Sequence, residues 1–362
     1  MIIEKDRLPG LIQNSLSYTT DDDGYMTFLR FSEKQMAFYA DNPFFHLMST
    51  CSSGICLSFE TDGNEVILDC RTADLNRKVL EQIKGEMTFG EILQKLGETV
   101  KKVNQARSRL DIIQHFDLYV DDHYLDAVRI GNDKINIFLC NPEHRRVHVR
   151  IWLPLYKPLS LRSVSSDAMI WPHQSDRPRL LAFGDSITQG FVAGKPSFSY
   201  VAQLAELLEM DAINQGIGNI THDHRILDDW DNLEQPDLIT VAYGTNDWHS
   251  DDDLETIRAY IEAFYARLQT VFPRIPVYVI TPIWRDDLEE PKTCGTFREL
   301  TLVIRQIAGT LSQVRLIDGL DISPHNPTCY SDGWLHPNIT GFSYMAPRLY
   351  RIIKDWRAAG PA

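Results

Sequence analysis

The pattern of apolar and polar positions changes character near residue 175. Before that point, short runs alternate apolar and polar residues, which is typical of half-buried antiparallel strands. Turn-forming residues, such as those at 61–64 and 131–133, separate the runs. The strand-like runs are 54–59, 65–70, 116–120, 134–139 and 147–153. The pattern predicts an antiparallel β-sandwich or jelly roll over residues 1–175.

One stretch departs from this pattern. Residues from about 75 to 110 are rich in Lys, Glu, Gln and Leu with helical spacing, and the spacing is interrupted near 88–90. We interpret the stretch as two helices inserted into the β-domain. Their charges are typical of a solvated face, and a lid over an active site is the alternative.

From Arg179 onward, apolar runs alternate with helical patterns, after a polar linker at 171–178 that holds two prolines. The predicted strands are 179–183, 211–214, 237–243, 276–281 and 314–318, and the predicted helices are about 197–209, 251–272, 296–312 and 340–357. This alternation predicts a second domain, residues 176–362, with a parallel sheet covered on both faces. Active sites in such sheets lie at the carboxyl ends of the strands.

Two segments at such strand ends hold the parts of a nucleophilic site. Ser186 follows the apolar run 180–183, and Asp332 and His336 lie together just before the last predicted helix. A serine hydroxyl needs an imidazole to take its proton, and often a third group to orient that imidazole. The sequence therefore predicts Ser186 as nucleophile, His336 as base and Asp332 as the orienting group.

Two further loops follow the next strands. The loop 214–219 contains Gly216 and Gly218, which let backbone N–H groups approach a ligand closely. The loop 244–247 contains Asn246, whose amide can donate a hydrogen bond into the same cleft. Each loop alone is an ordinary turn, but all four segments together indicate a catalytic site.

Charge and hydropathy exclude several classes of protein. The net charge of −14 argues against a nucleic-acid partner and against docking on anionic lipid. We find no apolar stretch of the roughly 18 residues that a membrane span needs, and the first residues lack the profile of a signal peptide. The chain is therefore expected to be cytoplasmic.

The four segments resemble the blocks of the SGNH hydrolases, also called GDSL-type esterases, which supply a Ser, a Gly, an Asn and a His. The resemblance covers about 180 residues, and it implies an α/β, flavodoxin-like three-layer parallel sheet as the catalytic domain. It also implies an oxyanion hole formed by Ser186, by Gly218 or Asn219, and by Asn246. The region around 116–121 resembles the β-sandwich that precedes some bacterial members, which are similar to carbohydrate esterases that remove acetyl groups.

The chain departs from the family pattern at two places. Three residues separate Asp332 from His336, where the family has two. Either the loop bulges and Asp332 still orients the imidazole, or a backbone carbonyl does so. In the second block, an ungapped count places the oxyanion residue at Asn219, and one deletion places it at Gly218.

The expected function is a serine esterase that hydrolyses a small acyl ester, an acetyl group on a carbohydrate, through an acyl-enzyme on Ser186. A lysophospholipase or general short-chain carboxylesterase is one alternative, and a carbohydrate-binding protein with an inactive hydrolase domain is another. No cofactor and no metal are expected, because His222 and His224 lack further ligands nearby and suit a surface loop or cleft contact. Trp248 and His249 could line the cleft mouth or simply pack. The natural substrate and the oligomeric state stay open.

Overall fold

The computed structural model describes residues 1–72, 115–130 and 134–359. The predicted helical insertion at about 75–110 lies outside these residues. Among the described helices, none combines the length and the apolar character that crossing a membrane requires.

Two antiparallel sheets form the first part of the chain and enclose one apolar core. The first sheet contains β1 (Ile2–Glu4), β3 (Ser17–Thr20), β4 (Met26–Leu29), β6 (Glu65–Thr72), β9 (Lys134–Phe138) and β11 (Leu159–Ser166). The second contains β2 (Ile12–Gln13), β5 (Cys56–Thr61), β7 (His115–Val120), β8 (His123–Arg129), β10 (Val147–Trp152) and β12 (Ile170–Pro172). We call residues 1–172 the sandwich region.

The core of the sandwich region follows the alternation seen in the sequence. In β9, Ile135 and Ile137 are buried while the residues on either side are exposed. Strand β8 was not predicted, because it lies at the edge of its sheet and most of its side chains are exposed. An edge strand in solvent has no apolar face to reveal its period.

A parallel sheet forms the rest of the fold, with strand order β14-β13-β15-β16-β17. Its strands are β13 (Arg179–Gly184), β14 (Asp211–Gly216), β15 (Leu238–Ala242), β16 (Val277–Ile280) and β17 (Val314–Ile317). The five predicted strands are present, and the predicted fold class, a flavodoxin-like sheet preceded by an antiparallel sandwich, is confirmed. We call residues 179–359 the parallel-sheet region.

Helices cover both faces of the parallel sheet. Leu181 of β13 contributes to one buried cluster and Leu180 to the cluster on the opposite face. The helices of this region are α3 (Ser186–Gln189), α4 (Tyr200–Leu208), α5 (Thr245–Trp248), α6 (Leu254–Val271), α7 (Phe297–Ala308), α8 (Gly319–Ile322) and α9 (Ile339–Ala359). Short 3-10 helices lie at Lys5–Leu11, Pro196–Phe198, His224–Leu227 and Pro327–Cys329.

Two helices early in the chain pack against the parallel-sheet region. They are α1 (Glu33–Ala40), which Ser32 and Gln35 cap reciprocally, and α2 (Pro43–Ser49), which Asn42 caps. Phe31 and Tyr39 belong to the same buried cluster as Leu181. The division into two domains after residue 175 stays a prediction. The helices α1 and α2 precede that boundary in the sequence but pack against the region that follows it.

Arg30 joins these early helices to the parallel sheet. Its fully buried guanidinium donates to the carbonyl oxygens of Asn214 at 2.5 Å and Gly216 at 2.8 Å, both in β14. It also donates to the carbonyls of Met48 and Cys51 at 2.9 Å. Burial lowers the pKa of Arg30 to about 10, so the side chain stays charged at neutral pH. The end of β14 is therefore fixed by a residue of the sandwich region.

Replacing Arg30 with methionine should lower the free energy of unfolding by at least about 2 kcal/mol, because several buried carbonyls lose their donor. Urea unfolding followed by tryptophan fluorescence measures the loss. Arg305→Met is the matched control, since its pairing with Asp318 is partly exposed and should contribute less than about 1 kcal/mol. Equal, small losses in both variants would contradict the role of Arg30.

Candidate active site

Ser186 lies at the junction of β13 and α3. Asp185 caps the helix by accepting a hydrogen bond from the N–H of Ile187 at 2.9 Å, and burial raises the pKa of Asp185 to about 6. Gly184 permits the tight turn, because a β-carbon there would lie 2.0 Å from Thr188 Oγ1 and 2.9 Å from the Ala242 carbonyl oxygen. The turn leaves Ser186 partly exposed at the carboxyl end of the strand.

His336 reaches Ser186 across 150 residues of sequence. The distance from Ser186 Oγ to His336 Nε2 is 2.9 Å, and His336 Nδ1 lies 2.6 Å from Asp332 Oδ2. A carboxylate accepts but cannot donate, so Nδ1 carries the hydrogen in the neutral ring. Nε2 is then free to accept the proton of the serine hydroxyl. The structure thus brings together the three residues that the sequence proposed.

The loop from Asp332 to His336 accommodates the extra residue by folding around the carboxylate. Asp332 Oδ1 accepts hydrogen bonds from the N–H groups of Trp334, Leu335 and His336 at 2.9–3.1 Å. Gly333 adopts a left-handed conformation, with φ of 80°. Burial opposes the charged form of Asp332, but the hydrogen bond and charge of His336 outweigh it, and the pKa of Asp332 is lowered. The carboxylate, rather than a backbone carbonyl, faces Nδ1.

The two candidate oxyanion loops lie against each other. Asn246, in α5, donates from Nδ2 to the carbonyl oxygen of Ile220 at 3.0 Å. The N–H of Gly218 already donates to Gln189 Oε1 at 2.8 Å. Asn219 adopts a left-handed conformation with φ of 64°, and its N–H has no bonded acceptor in the described part of the chain. Of the two predicted oxyanion residues, Gly218 therefore has an N–H that is already hydrogen-bonded, whereas the N–H of Asn219 has no acceptor among the described residues.

His222 is not a surface residue, which corrects the expectation of a surface loop or cleft contact. Its side chain is 1% exposed, and both its backbone N–H and its Nδ1 lie 3.0 Å from Asp247 Oδ1. The ring lies among the aromatic side chains of Tyr243, Phe264 and Tyr265. This buried pair ties the loop after β14 to α5. Sequence reasoning missed it because the partner lies 25 residues away.

The other residues considered for a metal site or a cleft, His224, Trp248 and His249, differ in their exposure to solvent. His224 is exposed, and the described residues contain no group of three or more His, Cys, Asp or Glu side chains that could hold a metal ion. Trp248 is fully buried and packs edge-on against Phe297, with ring centroids 5.3 Å apart, so it packs rather than lines a cleft. His249 is exposed.

Residues 182–343 match the model of the GDSL-like lipase/acylhydrolase family. This span starts within β13, contains Ser186, Asn246 and His336, and ends in α9. No curated protein sequence matches the chain.

Several solved structures share the whole two-part fold. A salicylyl-acyltransferase, SsfX3, from a tetracycline biosynthetic pathway is 16% identical with a TM-score of 0.76, covering 100% of this chain and 99% of that chain. A GDSL-like lipase from Bacteroides ovatus is 18% identical with a TM-score of 0.72, covering 98% and 97%. A family two carbohydrate esterase from Cellvibrio japonicus is 16% identical with a TM-score of 0.62, covering 98% and 97%.

These matches agree with the motifs and with the arrangement of Ser186 and His336 at the strand ends. The family match rests on sequence and spans the strands and loops that hold the site. The solved structures extend the likeness in fold to the sandwich region. Residues 182–343 thus carry the likeness to the GDSL-like lipase/acylhydrolase family, and the chain is a carboxylic ester hydrolase.

Proposed function

We propose that the protein hydrolyses a small acyl ester, an acetyl group on a carbohydrate, through an acyl-enzyme on Ser186. The observation that carries this proposal is the hydrogen-bonded line from Asp332 through His336 to Ser186 Oγ. The likeness in fold to the family two carbohydrate esterase from Cellvibrio japonicus supports a carbohydrate ester as substrate.

The proposed reaction has two halves. His336 Nε2 takes the proton of Ser186 as Oγ attacks the ester carbonyl, and the imidazolium that forms is stabilised by Asp332. His336 then gives its proton to the leaving alcohol, which departs and leaves the acyl group on Ser186. Water repeats the sequence, with His336 as base, and releases the acid.

The oxyanion would be held by three donors. They are the N–H of Ser186, the N–H of Asn219 and the second hydrogen of Asn246 Nδ2, whose first hydrogen is bonded to Ile220. We favour Asn219 over Gly218 because the Gly218 N–H is engaged by Gln189. Donors fixed in advance by the fold stabilise developing charge without the cost of reorganisation.

The alternatives predict different substrate preferences. A lysophospholipase or general short-chain carboxylesterase would prefer lipid or simple alkyl esters over acetylated sugars. A carbohydrate-binding protein with an inactive hydrolase region would show no turnover, and the 2.9 Å contact between Ser186 and His336 argues against it.

Ser186→Ala should lower kcat for p-nitrophenyl acetate and for an acetylated xylo-oligosaccharide by at least about 10⁴-fold, because no nucleophile remains. Acetate release measures both reactions. A serine-directed phosphonate should inactivate the wild type but not the variant, and exposed Ser312→Ala serves as control. Turnover that survives in Ser186→Ala would remove the nucleophile assignment. A wild type that cleaves only the p-nitrophenyl ester would remove the carbohydrate assignment.

Asp332→Asn should lower kcat by about 10³- to 10⁴-fold with little change in KM, because an amide no longer fixes the tautomer of His336 or stabilises its cation. Steady-state kinetics on p-nitrophenyl acetate check this. A loss below tenfold in a folded variant would mean that the site works as a Ser–His dyad.

Asn246→Ala should lower kcat by about 10²- to 10³-fold, because one oxyanion donor is lost.

Asp247→Ala should also lower kcat, since Asp247 holds the loop of Asn219 against α5 through His222. The effects should be non-additive, with Asp247→Ala costing little more once Asn246 is absent. Additive losses would show that Asp247 acts independently of Asn246. An unchanged kcat in Asp247→Ala together with a lower free energy of unfolding in urea would show that Asp247 acts on stability alone.

A further inference from the structure

Two phenylalanine side chains flank the proposed catalytic residues and are unusually open to solvent. Phe191, in the loop after α3, is 39% exposed, and its ring centroid lies 4.7 Å from that of His336. Phe44, in α2 of the sandwich region, is 40% exposed, and a β-carbon on Gly218 would lie 3.6 Å from its Cζ. One phenyl ring thus borders the proposed base, and the other borders the proposed oxyanion loop.

The chemistry of ester cleavage places different parts of the substrate near these two side chains. The alcohol oxygen must lie near His336 Nε2, because His336 protonates it as it leaves. The carbonyl oxygen must point toward the donors of Asn219 and Asn246. The acyl substituent then takes the remaining direction at the carbonyl carbon, away from the imidazole, and Phe44 is the exposed apolar side chain beside the proposed oxyanion loop. An ester placed in this way would have its alcohol half beside Phe191 and its acyl half beside Phe44.

From this arrangement we propose that the sandwich region sets the specificity of the enzyme for both halves of its ester. Phe44 contacts the acyl group directly, and Tyr156 acts through Phe191 on the alcohol group. The substrate that fits is an acetyl ester whose methyl group meets Phe44 and whose sugar presents an apolar C–H face to Phe191. This inference rests on the proposed function of Ser186 and His336.

Phe44 is held in place by the fold of α2 and by the wall of the site. Asn42 Oδ1 accepts from the N–H groups of Phe44 and Phe45 at 2.9 and 3.1 Å, which fixes the start of the helix. Phe45 packs against the buried cluster under the parallel sheet. Gln189 links α2 to the oxyanion loop, because its Nε2 donates to Met48 Sδ at 3.8 Å while its Oε1 accepts from Gly218. The backbone that carries Phe44 therefore cannot move away from the oxyanion loop without disturbing these contacts.

Phe191 is held by Tyr156, from the segment between β10 and β11. The two ring centroids are 5.4 Å apart. The Tyr156 hydroxyl donates to the carbonyl of Gly190 at 2.7 Å and accepts from the N–H of Ala193 at 3.1 Å, so it bridges the loop on both sides of Phe191. Gly190 and Val192 have left-handed backbones, with φ of 92° and 56°. A loop with this geometry depends on such contacts to stay in one conformation.

The test compares kcat/KM over two series of esters. One series varies the acyl group from acetate to hexanoate on p-nitrophenol, and the other varies the alcohol of an acetate ester from ethyl to benzyl. Each methylene that a phenyl ring shields from water should raise kcat/KM by up to about fourfold. His46→Ala is the control, since His46 is exposed on the same helix as Phe44.

Phe44→Ala should lower the butyrate-to-acetate ratio of kcat/KM by about fivefold or more and leave the alcohol series unchanged. Phe191→Ala should instead lower the benzyl-to-ethyl ratio of kcat/KM among the acetate esters. Tyr156→Phe, which removes only the hydroxyl, should lower that ratio to a smaller degree. His46→Ala should follow the wild type in both series. Unchanged profiles in Phe44→Ala and Phe191→Ala, or equal shifts in both series for each variant, would overturn the proposal.

A binding measurement tests the role of Phe44 independently of the proposed reaction at Ser186. The Kd of p-nitrophenyl butyrate for Ser186→Ala, with and without Phe44→Ala, is measured by calorimetry and needs no turnover. A Kd that rises about fivefold on loss of Phe44 supports the inference even if Ser186 is not the nucleophile. A Kd that does not change contradicts it even if Ser186 is the nucleophile. Phe44→Leu, with its melting temperature, excludes a folding defect as the cause.

Discussion

One carboxylate organises the proposed catalytic loop. Asp332 accepts three backbone N–H groups with one oxygen and faces His336 Nδ1 with the other. The backbone bonds bend residues 332–336 into a turn, and that turn presents the imidazole to Ser186. The same carboxylate folds the loop and orients the imidazole. A change at Asp332 is therefore expected to alter both the shape of the loop and the tautomer of His336. The parallel sheet supplies the rest, since it places the ends of β13, β14 and β15 at one edge.

The sandwich region is a structural part of this site rather than an appended module. Arg30 fixes the end of β14 from inside the molecule. At the other side of the site, the buried carboxylate of Asp117 accepts from the N–H and the hydroxyl of Ser197, in the segment that leads from α3 to α4. Burial raises the pKa of Asp117, although both bonds from Ser197 oppose that shift. A region that holds the end of β14 and the segment between α3 and α4 in this way is positioned to shape the proposed site.

Much of the parallel-sheet region could be predicted from the sequence because its strands are buried on both faces. Such strands appear as continuous apolar runs, and the motifs follow them directly. The spacing of Asp332 and His336 left two arrangements open, since a turn that closes around a carboxylate depends on backbone bonds that no pattern records. Gly218 and Asn219 could not be separated either, because the distinction depends on Gln189, about 30 residues earlier.

Other features are set by contacts between distant parts of the chain. The helices α1 and α2 were not predicted, and their packing on the parallel sheet depends on partners such as Leu181, far along the chain. His222 stands in a polar run that is typical of a surface loop, and its pairing with Asp247 offsets part of the cost of its burial. For the helical stretch at 75–110, the prediction of an insertion stands untested.

The most direct test of the central claim is to trap the acyl-enzyme. The enzyme is mixed with p-nitrophenyl acetate, quenched in acid within the first turnovers, digested and examined by mass spectrometry. One acetyl group is expected on the peptide that contains Ser186, and at the same quench time its level should fall sharply when Asp332 is replaced by asparagine. An active enzyme that carries no acetyl group under these conditions, or carries it on another residue, would contradict the account.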